Sequence, residues 1–71
     1  MVQFGRITEI DFNSNSGIIR GEDGRDYFFG FAVVQSGDEP QLHSRVSFVR
    51  DPDFKMVRVA MLIRVLTLRV A

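Results

Sequence analysis

Four aromatic side chains lie within one short stretch in the first half of the chain: Tyr27, Phe28, Phe29 and Phe31. Aromatic rings can stack on nucleic-acid bases, and arginines beside them can hold phosphates. Arg6 and Arg20 are candidates for this second role, although a solvated strand edge explains them equally well. Aromatic residues on strands more often fill a core, so both interpretations of Phe28 and Phe31 stay open.

Other chemistries lack the residues that they need. His43 is the chain's one histidine and there is no cysteine, so no metal site is expected. Asp51 and Asp53 flank a proline, as in a turn rather than an acid–base pair. Ser14 and Ser16 have no plausible base to activate them. We therefore predict that the protein is not an enzyme and uses no cofactor.

The charge and hydropathy of the chain limit which kinds of partner the protein is expected to bind. The 71 residues carry no net charge, which argues against strong non-specific binding to nucleic acid. Residues 1–44 carry a net charge of −4 and residues 45–71 a net charge of +4. No apolar run approaches the roughly 20 residues that a membrane span requires, and the first residues do not resemble a secretory signal. We expect a cytoplasmic protein without a membrane partner.

Short strand patterns separated by turn residues are typical of a β-barrel or β-sandwich. They predict strands near residues 3–12, 17–21, 25–32, 45–50 and 54–65. Gly21-Glu22-Asp23-Gly24 predicts a tight hairpin, and residues 35–44 a longer polar connection. The last sixteen residues are rich in β-branched side chains, which favours a strand over the helix that their leucines would allow.

Strand alternation assigns the aromatic residues to two faces. Phe28 and Gly30 are predicted on one face, and Tyr27 and Phe29 on the other. Tyr27 and Phe29 are then expected in the core, which leaves Phe28 available for a surface role.

Several segments carry a resemblance to a known family. Gly5-Arg6-Ile7-Thr8 matches the opening of the cold-shock domain, and Ser14-Asn15-Ser16-Gly17-Ile18-Ile19 falls on its first ribonucleoprotein-like motif. Asp26-Tyr27-Phe28-Phe29-Gly30-Phe31 falls on the second motif, and Arg45-Val46-Ser47-Phe48 looks like a later strand. The chain therefore resembles a divergent cold-shock domain from residue 5 to about residue 63.

The resemblance implies an all-β fold, a five-stranded antiparallel OB-type barrel of residues 1–64, with residues 65–71 as a C-terminal strand extension. It also implies binding of single-stranded RNA or DNA through stacked bases. The binding residues expected by position are Arg6, Thr8, Ile18, Arg20, Phe28, Gly30 and Phe31.

Departures from the family pattern predict weak binding. The family's first-strand tryptophan is Glu9 here, and its neighbouring basic residue is Thr8. Two motif aromatics are Ser16 and Ile18, and the second-motif histidine is Gly30. Each lost stacking contact removes about 1–3 kcal/mol of binding free energy.

A protein-interaction barrel is the alternative prediction. The C-terminal strand would leave an unpaired edge with apolar groups on both faces, which favours self-association. The residues expected to form this contact are Val65, Leu66, Leu68 and Val70.

Overall fold

The computed structural model describes residues 2–51, 56–57 and 62–70, with the backbone alone at 56, 57, 62 and 64. The strands are β1 (Gln3–Asp11), β2 (Ser16–Gly21), β3 (Asp26–Gly30), β4 (Arg45–Arg50), β5 (Met56–Val57) and β6 (Leu62–Val70). A 3₁₀ turn, Phe31–Val33, follows β3 directly. None of the helical structure in the described residues is long and apolar enough to cross a membrane.

All six strands belong to one sheet, in the order β3-β2-β1-β4-β6-β5. Neighbouring strands in this order are antiparallel. The sheet curls until β3 meets β6 in a parallel pairing that joins Tyr27 to Ile63. The predicted all-β fold is confirmed, and β1 to β4 with β6 form the five-stranded OB-type barrel.

The core consists of inward-facing residues from all five long strands: Ile7, Ile19, Tyr27, Phe29, Val46, Phe48, Ile63, Val65 and Leu68. Tyr27 and Phe29 are fully buried, as alternation predicts. The rings of Tyr27 and Phe48 lie 4.8 Å apart between centroids. Burying one side chain of this kind stabilises the fold by about 1.5–3 kcal/mol, so the core depends on every long strand.

The hairpin between β2 and β3 has the predicted turn chemistry. Gly24 adopts φ +84°, a conformation that glycine tolerates without strain, and its N–H donates to the Gly21 carbonyl over 2.9 Å. Asp23 accepts hydrogen bonds from the Tyr27 hydroxyl and from the Arg25 N–H. Partial burial acts to raise the pKa of Asp23, but these hydrogen bonds outweigh it and lower the pKa below its usual range.

Two β-bulges interrupt the alternation of inward and outward residues. In β1, Ile7 pairs with Ile19 and Glu9 with Ile18, so Thr8 is an extra residue. In β6, Val65 pairs with Arg50 and Thr67 with Val49, so Leu66 is extra. A bulge reverses the phase of the residues that follow it. This reversal places Val65 and Leu68, which are an odd number of residues apart, in the same core.

The prediction of one last strand near residues 54–65 is wrong. Met56–Val57 is a separate strand that pairs antiparallel with the start of β6, with Met56 opposite Ile63 and Val57 opposite Leu62. Residues 54–55 and 58–61 lie outside the described residues. The sequence conceals this break because no glycine or proline marks it.

The prediction of an extension at residues 65–71 is also wrong for the residues described. Residues 65–70 pair with Val46–Arg50 of β4, and Val65 and Leu68 belong to the core. On the other side of β6, Leu68 forms a bridge to Val34 and its carbonyl accepts from the Gln35 N–H. The segment is therefore part of the barrel, because the bulge at Leu66 turns both parts of its apolar pattern inward.

Candidate functional site

Six of the seven predicted binding residues lie together on the outer face of β1, β2 and β3: Arg6, Thr8, Ile18, Arg20, Phe28 and Gly30. Cross-strand pairing arranges them in rows, because paired residues lie side by side on one face. Arg6, Arg20 and Asp26 form one such row, and Ile18 and Phe28 form the next. Ser16 and Gly30 form a third. Strand alternation and the short hairpin between β2 and β3 are enough to predict this face from the sequence.

Phe28 and Ile18 form the apolar centre of this face. They pair directly across β2 and β3, and both side chains are half-buried. The position opposite Phe28 on its other side belongs to Arg64 of β6. A half-exposed ring held on a strand is suited to stack on an unpaired base, because the strand fixes its orientation.

Carboxylates also occupy the outer face. Glu9 pairs with Ile18 on the side away from Phe28 and is exposed. Asp26 holds Arg20 through an ion pair, with 2.5 Å between Nε and Oδ1. The hydrogen bond and charge of Asp26 raise the pKa of the Arg20 guanidinium. A phosphate at this face therefore meets the repulsion of Glu9 and must compete with Asp26 for Arg20.

The small polar residues of the face contribute space and backbone contacts. The Thr8 hydroxyl donates to the Ile18 carbonyl over 3.4 Å. At Gly30 an added Cβ would meet only the Asn15 carbonyl oxygen, at 4.0 Å. The backbone of Gly30 has φ −94°, which any residue can adopt. Gly30 is therefore an open position of the face and not one that packing reserves for glycine.

Phe31 lies apart from the other predicted residues. Strand β3 ends at Gly30, and Phe31 begins the 3₁₀ turn, whereas the sequence predicts a strand through residue 32. Its ring stacks on Phe29 at 6.1 Å and meets Phe12 edge to face at 5.8 Å. By alternation Phe31 has the inward phase of Tyr27 and Phe29, and it packs against the core at the end of the barrel instead of on the outer face.

An apolar groove of about 790 Å³ lies at this end of the barrel. Its apolar lining comes from β1, the 3₁₀ turn and the long connection: Ile10, Phe12, Phe31, Val34, Pro40 and Leu42. Phe12 is 72% exposed and Leu42 is 51% exposed. Phe12 is not among the binding residues expected from the sequence, although a phenylalanine at the start of a polar loop is a signal for an exposed ring.

The described part of the chain lacks a cluster of metal-ligating residues. It contains no group of three or more His, Cys, Asp or Glu residues that could hold a metal ion. His43 is exposed in a turn with φ +70°. The guanidinium groups and the Phe28 ring on the outer face can bind an anion and stack on a base.

Comparison with known proteins adds no assignment. No protein-family model matches the chain, and no curated protein matches it. The resemblance to cold-shock domains therefore stays a prediction that depends on the residues themselves.

Proposed function

We propose that this protein binds single-stranded RNA or DNA weakly, on the outer face of β1 to β3. The observation that carries the proposal is the Phe28–Ile18 pair, with Arg6 and Arg20 in the next cross-strand row. Residues two apart on a strand are separated by about 6.6 Å. A base stacked on Phe28 therefore has guanidinium groups within reach of its own backbone.

The shape of the face favours a single strand over a duplex. The outer face of a sheet is open, and Phe28 offers a ring to a base rather than a donor or acceptor pattern to a groove. A duplex keeps the faces of its bases inside the stack, so stacking on Phe28 requires an unpaired base. Because every base has a π-face, we expect little preference among base sequences.

Three features limit the affinity. Phe28 supplies one stacking contact, worth about 1–3 kcal/mol. Arg20 is already paired with Asp26, and Glu9 repels phosphate. With two or three phosphate contacts added, we expect a dissociation constant on the order of 100 μM to 1 mM at low salt.

The test is fluorescence anisotropy with labelled oligothymidine and oligouridine at low salt. The Phe28→Ala variant should bind about 5- to 100-fold more weakly, because the lost stacking contact is worth about 1–3 kcal/mol. Leu42→Ala is the matched control, since Leu42 is an exposed apolar residue that lines the groove at the end of the barrel and not the outer face. It should bind like the unmodified protein.

Two results would contradict the proposal. One is that no binding develops at millimolar protein and low salt. The other is that Phe28→Ala, with its fold intact by circular dichroism, binds as tightly as the Leu42→Ala control. Added salt should weaken genuine binding steeply, because phosphate contacts release counterions.

A protein-interaction module is the second candidate function. The observation that favours it is the groove at the barrel end, where Phe12 and Leu42 are exposed. The C-terminal residues first expected to form an interface contribute less, because Val65 and Leu68 are buried and only Leu66 and Val70 reach the surface. Self-association would make the sedimentation coefficient rise with concentration, and Phe12→Ser would suppress that rise if the groove mediates it.

A further inference from the structure

Three arginines from three neighbouring strands lie in one cross-strand row. Arg6 of β1 pairs with Arg20 of β2 on one side and with Arg45 of β4 on the other. All three are exposed. Adjacent strands lie about 4.8 Å apart, so the row brings three guanidinium groups onto a short stretch of the surface. We call this set the arginine row.

Like charges directly opposite one another destabilise a sheet unless something neutralises them. At the ends of the row the neutralising groups are visible: Glu22 contacts Arg45 at 3.2 Å, and Asp26 contacts Arg20. Arg6 in the middle donates to the His43 carbonyl over 3.1 Å, and no carboxylate of the described residues pairs with it. Within the described part of the chain, the centre of the row therefore carries a positive charge without a paired carboxylate.

A groove of about 350 Å³ lies along the row. Besides the three arginines, its lining comprises Gly5, Thr8, Gly21 and Glu22. Gly5 and Gly21 pair with each other, and an added Cβ at either would meet a neighbouring atom at 2.6 Å or less. Close packing therefore keeps both positions as glycine, and the only negative side chain in the described lining of the groove is Glu22.

The Phe4 ring supports the Arg45 guanidinium. The guanidinium carbon of Arg45 lies 5.3 Å from the centroid of the Phe4 ring, in a cation–π contact. Phe4 is itself an exposed residue, on the same face of β1 as Arg6. A guanidinium supported in this way loses less conformational freedom when it binds an anion.

We propose that the arginine row binds a phosphate group, with Arg6 at its centre and Arg20 and Arg45 closing on it from either side. Exposed ion pairs such as Arg45–Glu22 contribute little free energy and exchange readily. Guanidinium groups bind phosphate through two parallel hydrogen bonds, which makes a phosphate the stronger partner. Arg45 thereby joins the binding residues proposed for the outer face.

The phosphate can belong to a nucleic-acid backbone or to a small free phosphate compound. In the first case the inference rests on the proposed function and deepens it, because the row lies beside Ile18 and Phe28. In the second case the row binds phosphate even though no oligonucleotide binds. The experiment below separates these two sources.

The test is a nuclear magnetic resonance titration of the ¹⁵N-labelled full chain with inorganic phosphate, against sodium chloride at equal ionic strength. Phosphate should shift the Arg6 side-chain N–H and the backbone N–H groups of Gly5 and Gly21 saturably, and chloride should not. Arg6→Gln should weaken this binding about tenfold or more, and Arg45→Gln several-fold. Arg25→Gln is the matched control, because it removes the same charge from a residue outside the groove.

A titration without saturation at tens of millimolar phosphate would overturn the proposal, as would equal losses in Arg6→Gln and Arg25→Gln. A second titration with oligothymidine identifies the source. If the backbone phosphates occupy the row, inorganic phosphate competes and Arg45→Gln lowers the slope of log affinity against log salt by about one. If phosphate binds saturably but no oligonucleotide does, the row stands as a site for small phosphates and the proposed function fails.

Discussion

Glu9 adds an exposed negative charge to the outer face, beside Ile18. It is paired with Ile18, which in turn is paired with Phe28. Its carboxylate therefore lies one strand away from Ile18 and two strands away from Phe28. A nucleic-acid phosphate that follows a base onto Phe28 therefore approaches a negative charge. The resemblance to cold-shock domains implies an aromatic residue at this position, so Glu9 also replaces a stacking contact.

Removing this charge should strengthen binding. We predict that Glu9→Gln raises the affinity for oligothymidine about two- to fivefold at low salt, because a single exposed charge contact is worth about 0.2–1 kcal/mol. The gain should shrink as salt is added. Glu39→Gln, an equal change of charge on the exposed long connection, is the control for net charge.

Anisotropy titrations of the two variants at two salt concentrations decide this prediction. Equal gains in Glu9→Gln and Glu39→Gln would show that only net charge matters. A gain confined to Glu39→Gln would place the bound strand at the end of the barrel instead of on the outer face.

At the scale of the strands, the two bulges determine which residues face the core. After Thr8 the inward positions of β1 continue at Ile10, and after Leu66 those of β6 continue at Leu68. Two consecutive exposed residues mark each bulge: Thr8 and Glu9 in β1, and Leu66 and Thr67 in β6. The bulge in β1 therefore presents both Thr8 and Glu9 to solvent beside the candidate interface.

Two changes at Leu66, a substitution and a deletion, test the bulge in β6. Leu66→Ala should alter the free energy of unfolding by less than about 0.5 kcal/mol, because the side chain is exposed. Deletion of Leu66 should leave the domain folded, because Val65, Thr67 and Leu68 keep their partners in β4 and Leu68 stays in the core. Thermal unfolding followed by circular dichroism measures both. A deletion variant that does not fold would contradict the assigned register.

Elements with an undisturbed pattern could be predicted from the sequence. Strand β4 has the predicted bounds, Arg45–Arg50, because its residues alternate cleanly between core and surface. Strands β2 and β3 follow from the Asp23-Gly24 turn and from the alternation of Tyr27, Phe28 and Phe29. The same alternation predicts the outer-face positions of the candidate site.

The remaining features depend on contacts that are distant in the sequence. A bulge makes apolar residues appear on both faces, which is why the stretch from Val65 to Val70 reads as an exposed extension although it is part of the barrel. Phe31 lies off the outer face because it follows Phe29 in the inward phase and begins the turn in which the Val34 N–H donates to the Phe31 carbonyl, and no local motif announces that turn. The arginine row requires the register of β1 with β4, so Arg45 could not be recognised from its neighbours.

At the scale of the whole molecule, β6 holds the barrel together. It pairs with β4, with β5 and with β3, and it contributes three core residues, Ile63, Val65 and Leu68. A chain near 70 residues buries only about 60% of the surface that its unfolded form exposes. Such a small domain has little stability in reserve, so loss of part of one central strand is severe.

We therefore predict that a chain ending at Arg64 does not fold. It would lose two core side chains and expose one edge of β4, because Val46–Arg50 pairs with residues 65–70. Each core side chain lost costs on the order of 2–5 kcal/mol, comparable with the whole stability of a small domain. Amide nuclear magnetic resonance spectra of the shortened chain should show the narrow dispersion of an unfolded protein. A well-dispersed spectrum would contradict this role of β6.

The central claim, that the outer face of β1 to β3 binds single strands, is tested most directly by mapping an oligothymidine titration on the ¹⁵N-labelled protein. We expect saturable shifts of the backbone N–H groups of Ile18, Arg20, Phe28 and Gly30, with those of residues 36–42 unchanged. Shifts confined to residues 36–42, or no saturable shift at low salt, would contradict it.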